Sequence, residues 1–132
     1  MLSDNQLTNF KPSLANKSSI NKLASLSNKT FEDLIRGKNN SLGGIIQTKY
    51  NFKVVPSPTF PTPNKGNYYN GGFVSQTYSS AQMSAYRLNA IQMELPSDLR
   101  HGTVSQIIED SKKLADSIFD FYIINAFQKK IQ

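Results

Sequence analysis

The chain contains no cysteine and a single histidine, His101. Without cysteine there is neither a disulfide framework nor a thiolate, and cysteine use says nothing of the redox compartment. One histidine cannot supply the two or three imidazoles of a usual catalytic zinc site. A serine nucleophile is equally unsupported, because there is no Gly-x-Ser-x-Gly elbow. Long apolar runs are missing too: no stretch of 18 apolar residues is present to span a bilayer, so no membrane partner is expected. The opening Met1-Leu2-Ser3-Asp4-Asn5-Gln6 has neither the basic flank nor the apolar core of a signal peptide. The expectation is a cytoplasmic protein by default.

What is present suffices for one domain. At 132 residues and 14.8 kDa, a chain buries roughly 65 to 70% of its unfolded surface. The net charge of +6 resides in residues 1–66, where nine Lys and Arg face three acids; residues 67–132 carry six of each. The basic residues are single lysines scattered among Asn and Ser, with no Arg-rich cluster, no interleaved aromatics and no nucleic-acid-binding motif. That pattern describes a solvated basic face rather than a nucleic-acid partner, although it favours anionic small molecules.

Residues 1–28 read as a polar arm followed by a short helix through Ile20, Leu23 and Ala24, and residues 29–132 as the main body. Thr30-Phe31-Glu32-Asp33 has the form of a helix start, in which the Thr30 hydroxyl and Asp33 carboxylate satisfy free amides, and Gly37 ends that turn. Ser41 caps a second short helix, and Gly43-Gly44 within it permits very close approach to a neighbour. Lys53-Val54-Val55 reads as a strand stopped by Pro56, and a Pro-rich surface loop follows as far as Gly66. Phe73–Tyr78 and Leu88–Leu95 read as two further strands, separated by a polar turn. The second places Leu88, Ala90, Gln92 and Glu94 on one side and Asn89, Ile91, Met93 and Leu95 on the other. Thr103, with Gln106 as capping partner, opens the longest helix, whose apolar residues run from Val104 to Phe127 at helical spacing.

Glu94 is the leading functional candidate. It lies one residue before the end of an apolar segment that Pro96 closes, and a carboxylate there is costly unless paired, metal-bound or used in chemistry. One reading pairs it with Arg100, Arg87 or a backbone amide. The other makes it a general base, partly desolvated and placed beyond a strand end. His101, between Arg100 and Gly102, reads as an exposed turn residue.

Five segments in one order carry a resemblance: Phe31-Glu32-Asp33-Leu34-Ile35-Arg36-Gly37, Asn40-Ser41-Leu42-Gly43-Gly44-Ile45, Val55-Pro56-Ser57-Pro58, Asn67-Tyr68-Tyr69-Asn70-Gly71-Gly72-Phe73 and Ala90-Ile91-Gln92-Met93-Glu94-Leu95. Together with Asp120-Phe121-Tyr122 in the last helix, they resemble the C-terminal half of the N-formylglutamate amidohydrolase family. The resemblance implies an α/β fold, part of a carboxypeptidase-like mixed sheet flanked by helices, with a long C-terminal helix. It also implies a zinc-dependent hydrolase of N-acyl amino acids or related linear amides, in which a metal polarises the carbonyl and a Glu moves protons. On it, Glu94 matches the general base of a Gln-x-Glu segment. Asn70, Gly71 and Gly72 match the rim of the active site, and Arg36 and Arg100 match basic positions that hold a substrate carboxylate. The zinc ligands would lie on a segment upstream of Met1, making a missing N-terminal half the expected partner and this chain a fragment or remnant, inactive alone. A His-Gly-Ser that follows the Gly pair in related chains is replaced here by Tyr78-Ser79-Ser80. Without chemistry of its own, the chain reads alternatively as a non-catalytic binding module.

Overall fold

A computed structural model describes residues 2–66, 72–79 and 88–127. They form a layered set of short helices closed by one long one: α1 (Asp4–Thr8), a 3-10 helix (Pro12–Lys17), α2 (Asn21–Leu26), α3 (Phe31–Arg36), α4 (Leu42–Tyr50), α5 (Phe73–Tyr78), α6 (Ser97–Arg100) and α7 (Val104–Tyr122), which runs on into a π-helical turn (Ile123–Phe127). No strand or sheet occurs among the described residues; a single isolated parallel bridge joins Ser79 to Leu88. The expected α/β mixed sheet is therefore overturned. A short extended segment is stable only with ladder partners, and among the described residues the three segments read as strands form no ladder, two of them meeting only where Leu88 N donates to Tyr78 O beside the isolated bridge. Lys53–Val55 is irregular, and Phe73–Tyr78 is a helix entered from Gly72. Leu88–Leu95 has no regular secondary structure beyond that one bridge.

Helix starts follow the local chemistry. The Thr30 hydroxyl accepts from Asp33 N at 3.1 Å, and Ser41 Oγ accepts from Gly44 N at 2.9 Å. Thr103 and Gln106 form a reciprocal capping box, with Thr103 N donating to Gln106 Oε1 at 3.0 Å and Gln106 N to Thr103 Oγ1 at 3.3 Å. The N-terminal residues are not a loose arm: Leu2 and Leu7 are buried and join Ile20, Phe31 and Leu34 in the core, with Phe10 stacked on Phe31 at 5.5 Å. A core that small needs every apolar residue nearby, which is what draws the N-terminal segment in.

Helix α4 is the hub. Its glycine pair lets two loops approach its backbone: a Cβ on Gly43 would stand 2.0 Å from Pro56 O, and one on Gly44 2.1 Å from Gly37 O. On its other contact α4 meets α7, where the fully buried Ser117 hydroxyl bonds Lys113 O at 2.9 Å and thus needs no partner outside its own helix. Lys49 Nζ reaches Asp116 at 2.6 Å and Asp120 at 2.8 Å, and the Tyr50 hydroxyl bonds Asp116. These bonds, those from Lys49 first, hold the Asp116 carboxyl below its ordinary range, while the two carboxylates raise Lys49. The far end of α7 is fixed by Lys29 Nζ, which donates to Ile124 O at 2.8 Å and Asn125 Oδ1 at 3.1 Å. Along its remaining face, Val104, Ile108, Phe119 and Tyr122 are exposed.

Two outcomes follow. Gly43→Ala forces backbone apart and lowers unfolding free energy in urea by about 3 kcal/mol, comparable to emptying the core with Leu34→Ala at about 2 to 5 kcal/mol. The Asp116 contribution is present above the ordinary Asp pKa and is lost as pH falls through the depressed one. The gap in Tm between the native chain and Asp116→Asn, small because the pair is half exposed, should therefore close as pH drops below about 4.

Candidate functional site

An open cleft of about 580 Å³ lies between the helical body and two irregular segments. Leu7 of α1, Leu34 of α3 and Ile46 of α4 line it together with Ser18 to Ile20. Residues 51–56 and 91–96 supply further wall, with Leu99 from α6 and Leu114 from α7. Its charged lining groups are Lys53, Glu94 and Asp98.

The segment bearing Glu94 is fastened at four places. Leu88 N donates to Tyr78 O at 3.2 Å, and Ala90 N to Ser19 O at 3.0 Å. Asn89 Oδ1 accepts from Leu23 N at 2.8 Å. Leu23 stands at the third position of α2, whose N-cap residue, Ile20, has no side chain able to cap. Asn89 thus performs from a distant part of the chain the job that Ser, Thr, Asp or Asn usually performs locally. The fourth fastening is Gln92. Its Oε1 accepts from Gly72 N and lies 3.1 Å from Ser75 Oγ, while its Nε2 donates to Glu94 Oε1 at 2.6 Å.

The two-residue spacing of Gln92 and Glu94 matters here, because an extended backbone turns alternate side chains the same way. Bonds into the Gln92 carbonyl polarise its amide and strengthen the donor offered to Glu94. Among the described residues no Lys or Arg pairs with Glu94, so the expected Arg100 pairing is not seen, and Arg87, the other cation expected to pair with it, lies outside the described residues. Glu94 lines the cleft yet is exposed. The burial expected of it is not seen, and among the described residues no sheet covers it.

Other expected site residues fall in different places. Gly72 joins the Glu94 network through Gln92, and a Cβ there would stand 3.1 Å from Gln92 Oε1, which explains why this position is open to close approach. Asn70 and Gly71 lie outside the described residues. Arg36 is committed elsewhere: it bonds Glu32 Oε1 at 2.6 and 3.0 Å and Leu7 O at 3.2 Å, and its guanidinium covers the Phe10 ring at 4.8 Å. Arg100 and His101 are exposed at the end of α6, and neither lines the cleft. The cation that does line it, Lys53, escaped sequence reasoning. Its signal was its place next to Val54-Val55 before a proline stop.

Comparison of the chain with protein-family models, with curated proteins and with solved structures gave no match. Among the described residues, no group of three or more His, Cys, Asp or Glu is placed to hold a metal ion. No helix among them is long and apolar enough to cross a membrane.

The cap supplied by Asn89 is directly measurable. Asn89→Ala should cost about 1 kcal/mol of stability, whereas Asn89→Asp, which keeps the acceptor, should cost much less; urea unfolding of the two variants distinguishes them.

Proposed function

We propose that this chain is the carboxylate-bearing part of an amide hydrolase of the N-formylglutamate amidohydrolase type, acting on N-acyl amino acids or related linear amides. The observation that carries the reading is Glu94, held by Gln92 at the edge of an open, largely apolar cleft and lacking any cationic partner among the described residues. A carboxylate that, among the described residues, is bonded to a neutral donor accepts a proton more readily than a salt-bridged one.

In this reading the ligand occupies the cleft with its amide beside Glu94. Glu94 takes a proton from the attacking water and returns it to the leaving nitrogen, so that the C–N bond breaks, a C–O bond forms, and a carboxylate and an amine are released. As the sequence resemblance implies, activation of the carbonyl would belong to a metal-bearing segment, and this chain's own share is binding, orientation and proton transfer. Its partners are the acyl amino acid and that complementary segment.

The test has two steps. Calorimetric titration of the chain alone with N-acyl amino acids of short and long acyl chains should show saturable binding without amine release. Joined to the metal-bearing half of an N-formylglutamate amidohydrolase, the assembly should release amine, and Glu94→Gln should lower that rate at least a hundredfold with binding little changed, as expected for a lost proton carrier. A Gln variant as fast as the native chain removes Glu94 from the chemistry. Binding with no amine release in the assembly leaves instead a non-catalytic ligand-binding module.

A further inference from the structure

Helix α7 turns most of its apolar side away from the body. An amphipathic helix normally sets its apolar stripe against the core, yet the side of α7 facing inward carries Ser117, fully buried, with Asp110 and Lys113 partly buried beside it. Ile107, Leu114 and Phe121 reach the body only from the edge of the stripe and are partly buried. The centre of the stripe lies outside. Val104, Ile108, Ser111, Ala115, Ile118 and Tyr122 alternate spacings of four and three residues, which sets them along one line of the helix, and all six are exposed. Val104 is 75% exposed, Ile108 50%, Ile118 46% and Tyr122 54%, and Phe119 beside them is 62% exposed. Taken at roughly 150 to 200 Å² for a whole aliphatic or aromatic side chain, these fractions amount to about 500 Å² of apolar surface. An ordinary monomer shows a largest patch of about 300 to 600 Å², and such a patch is often functional.

The spacing along that line is the same read from either end, with its centre at Lys113. Laid antiparallel against a second copy, Val104 meets the partner's Tyr122, Ile108 meets the partner's Ile118, and Ser111 meets the partner's Ala115. The same contacts recur across the two-fold axis, as an isologous interface requires. Large residues stand at both ends and small ones in the middle, so the two helices approach most closely where they cross. Ser111, Ala115 and the Lys112 stem add to the apolar surface of each copy and bring the face towards the roughly 800 Å² per partner of a stable interface. Charge disfavours a lipid surface as the occupant: α7 carries Glu109, Asp110, Asp116 and Asp120 against Lys112 and Lys113, whereas helices that lie on membranes are rich in basic residues. We infer that this chain forms an antiparallel two-fold dimer through the exposed stripe of α7. The inference stands apart from the hydrolase reading, since it uses none of the contacts of Glu94.

Analytical ultracentrifugation of the intact chain at about 1 to 100 μM should show dimer forming as concentration rises. Phe119→Glu and Val104→Glu, both at exposed positions, should each weaken association at least a hundredfold, because the two-fold axis brings every substitution in twice. Helix content by circular dichroism should stay native in both. The chain has no cysteine, so a single introduced thiol reports the direction of packing. Lys112→Cys, beside the axis, should be joined to its counterpart by a short bismaleimide, whereas Ser105→Cys, displaced from its counterpart by about 24 Å along the helix, should not. A native chain that stays monomeric throughout the range overturns the dimer; if it instead binds the metal-bearing half of an N-formylglutamate amidohydrolase and loses it in Phe119→Glu, the face belongs to that segment. A dimer untouched by either Glu variant overturns the use of α7. Cross-linking through Ser105→Cys as readily as through Lys112→Cys overturns the antiparallel register.

Discussion

The interaction on which the rest depends is a helix cap supplied from far along the chain. Helix α2 begins at Asn21 after Ile20, which cannot satisfy its first amides. Asn89 reaches Leu23 N and does so instead, and the next residue, Ala90, donates to Ser19 O. An uncapped helix of six residues would be marginal, so the cap stabilises both parties: α2 acquires an acceptor and residues 88–92 acquire a fixed course. Everything at the cleft edge follows from that course. With Asn89 directed at α2, alternation turns Gln92 towards Gly72 and Ser75, and Gln92 in turn holds Glu94.

The opposite wall depends on a different constraint, close backbone contact. Only glycine at position 43 lets Pro56 O come within the space a Cβ would fill, and this brings the Lys53–Pro56 segment against α4. Lys53 is thereby delivered to the cleft. Helix α7 closes the arrangement through the Lys49, Tyr50 and Asp116 contacts and contributes Leu114. Two unrelated devices, a side-chain cap and a glycine contact, thus place Glu94 and Lys53 among the residues lining one cavity.

The starts of α3, α4 and α7 were legible in the sequence because their chemistry is local, whereas the equally local Ser3–Gln6 capping box that opens α1 was not read. Thr30, Ser41 and Thr103 lie within three residues of the amides they satisfy, and α7 declares itself by an apolar period sustained over its length. The strands were not legible in this way, because β-prone composition describes a segment's preference and not whether a ladder partner exists; Phe73–Tyr78 became a helix, and among the described residues Leu88–Leu95 has no ladder beyond the single bridge at Leu88. Arg36 was singled out for a ligand, but its neighbours Glu32, four residues back, and Phe10 occupy it, and only the first of those was foreseeable from helical spacing. The Asn89 cap joins residues 66 apart, a separation at which no local pattern gives warning.

The account stands or falls with the docking of the Glu94 segment on the helical body. Amide hydrogen exchange at Leu23, followed residue by residue under native conditions, reads that docking directly. The structure predicts that this amide, although near a helix start where donors usually face water, exchanges far more slowly than in an unstructured peptide and recovers the fast rate in Asn89→Ala. Fast exchange at Leu23 in the native chain would show that the segment is not held there, and would contradict the placement of Glu94 at the cleft.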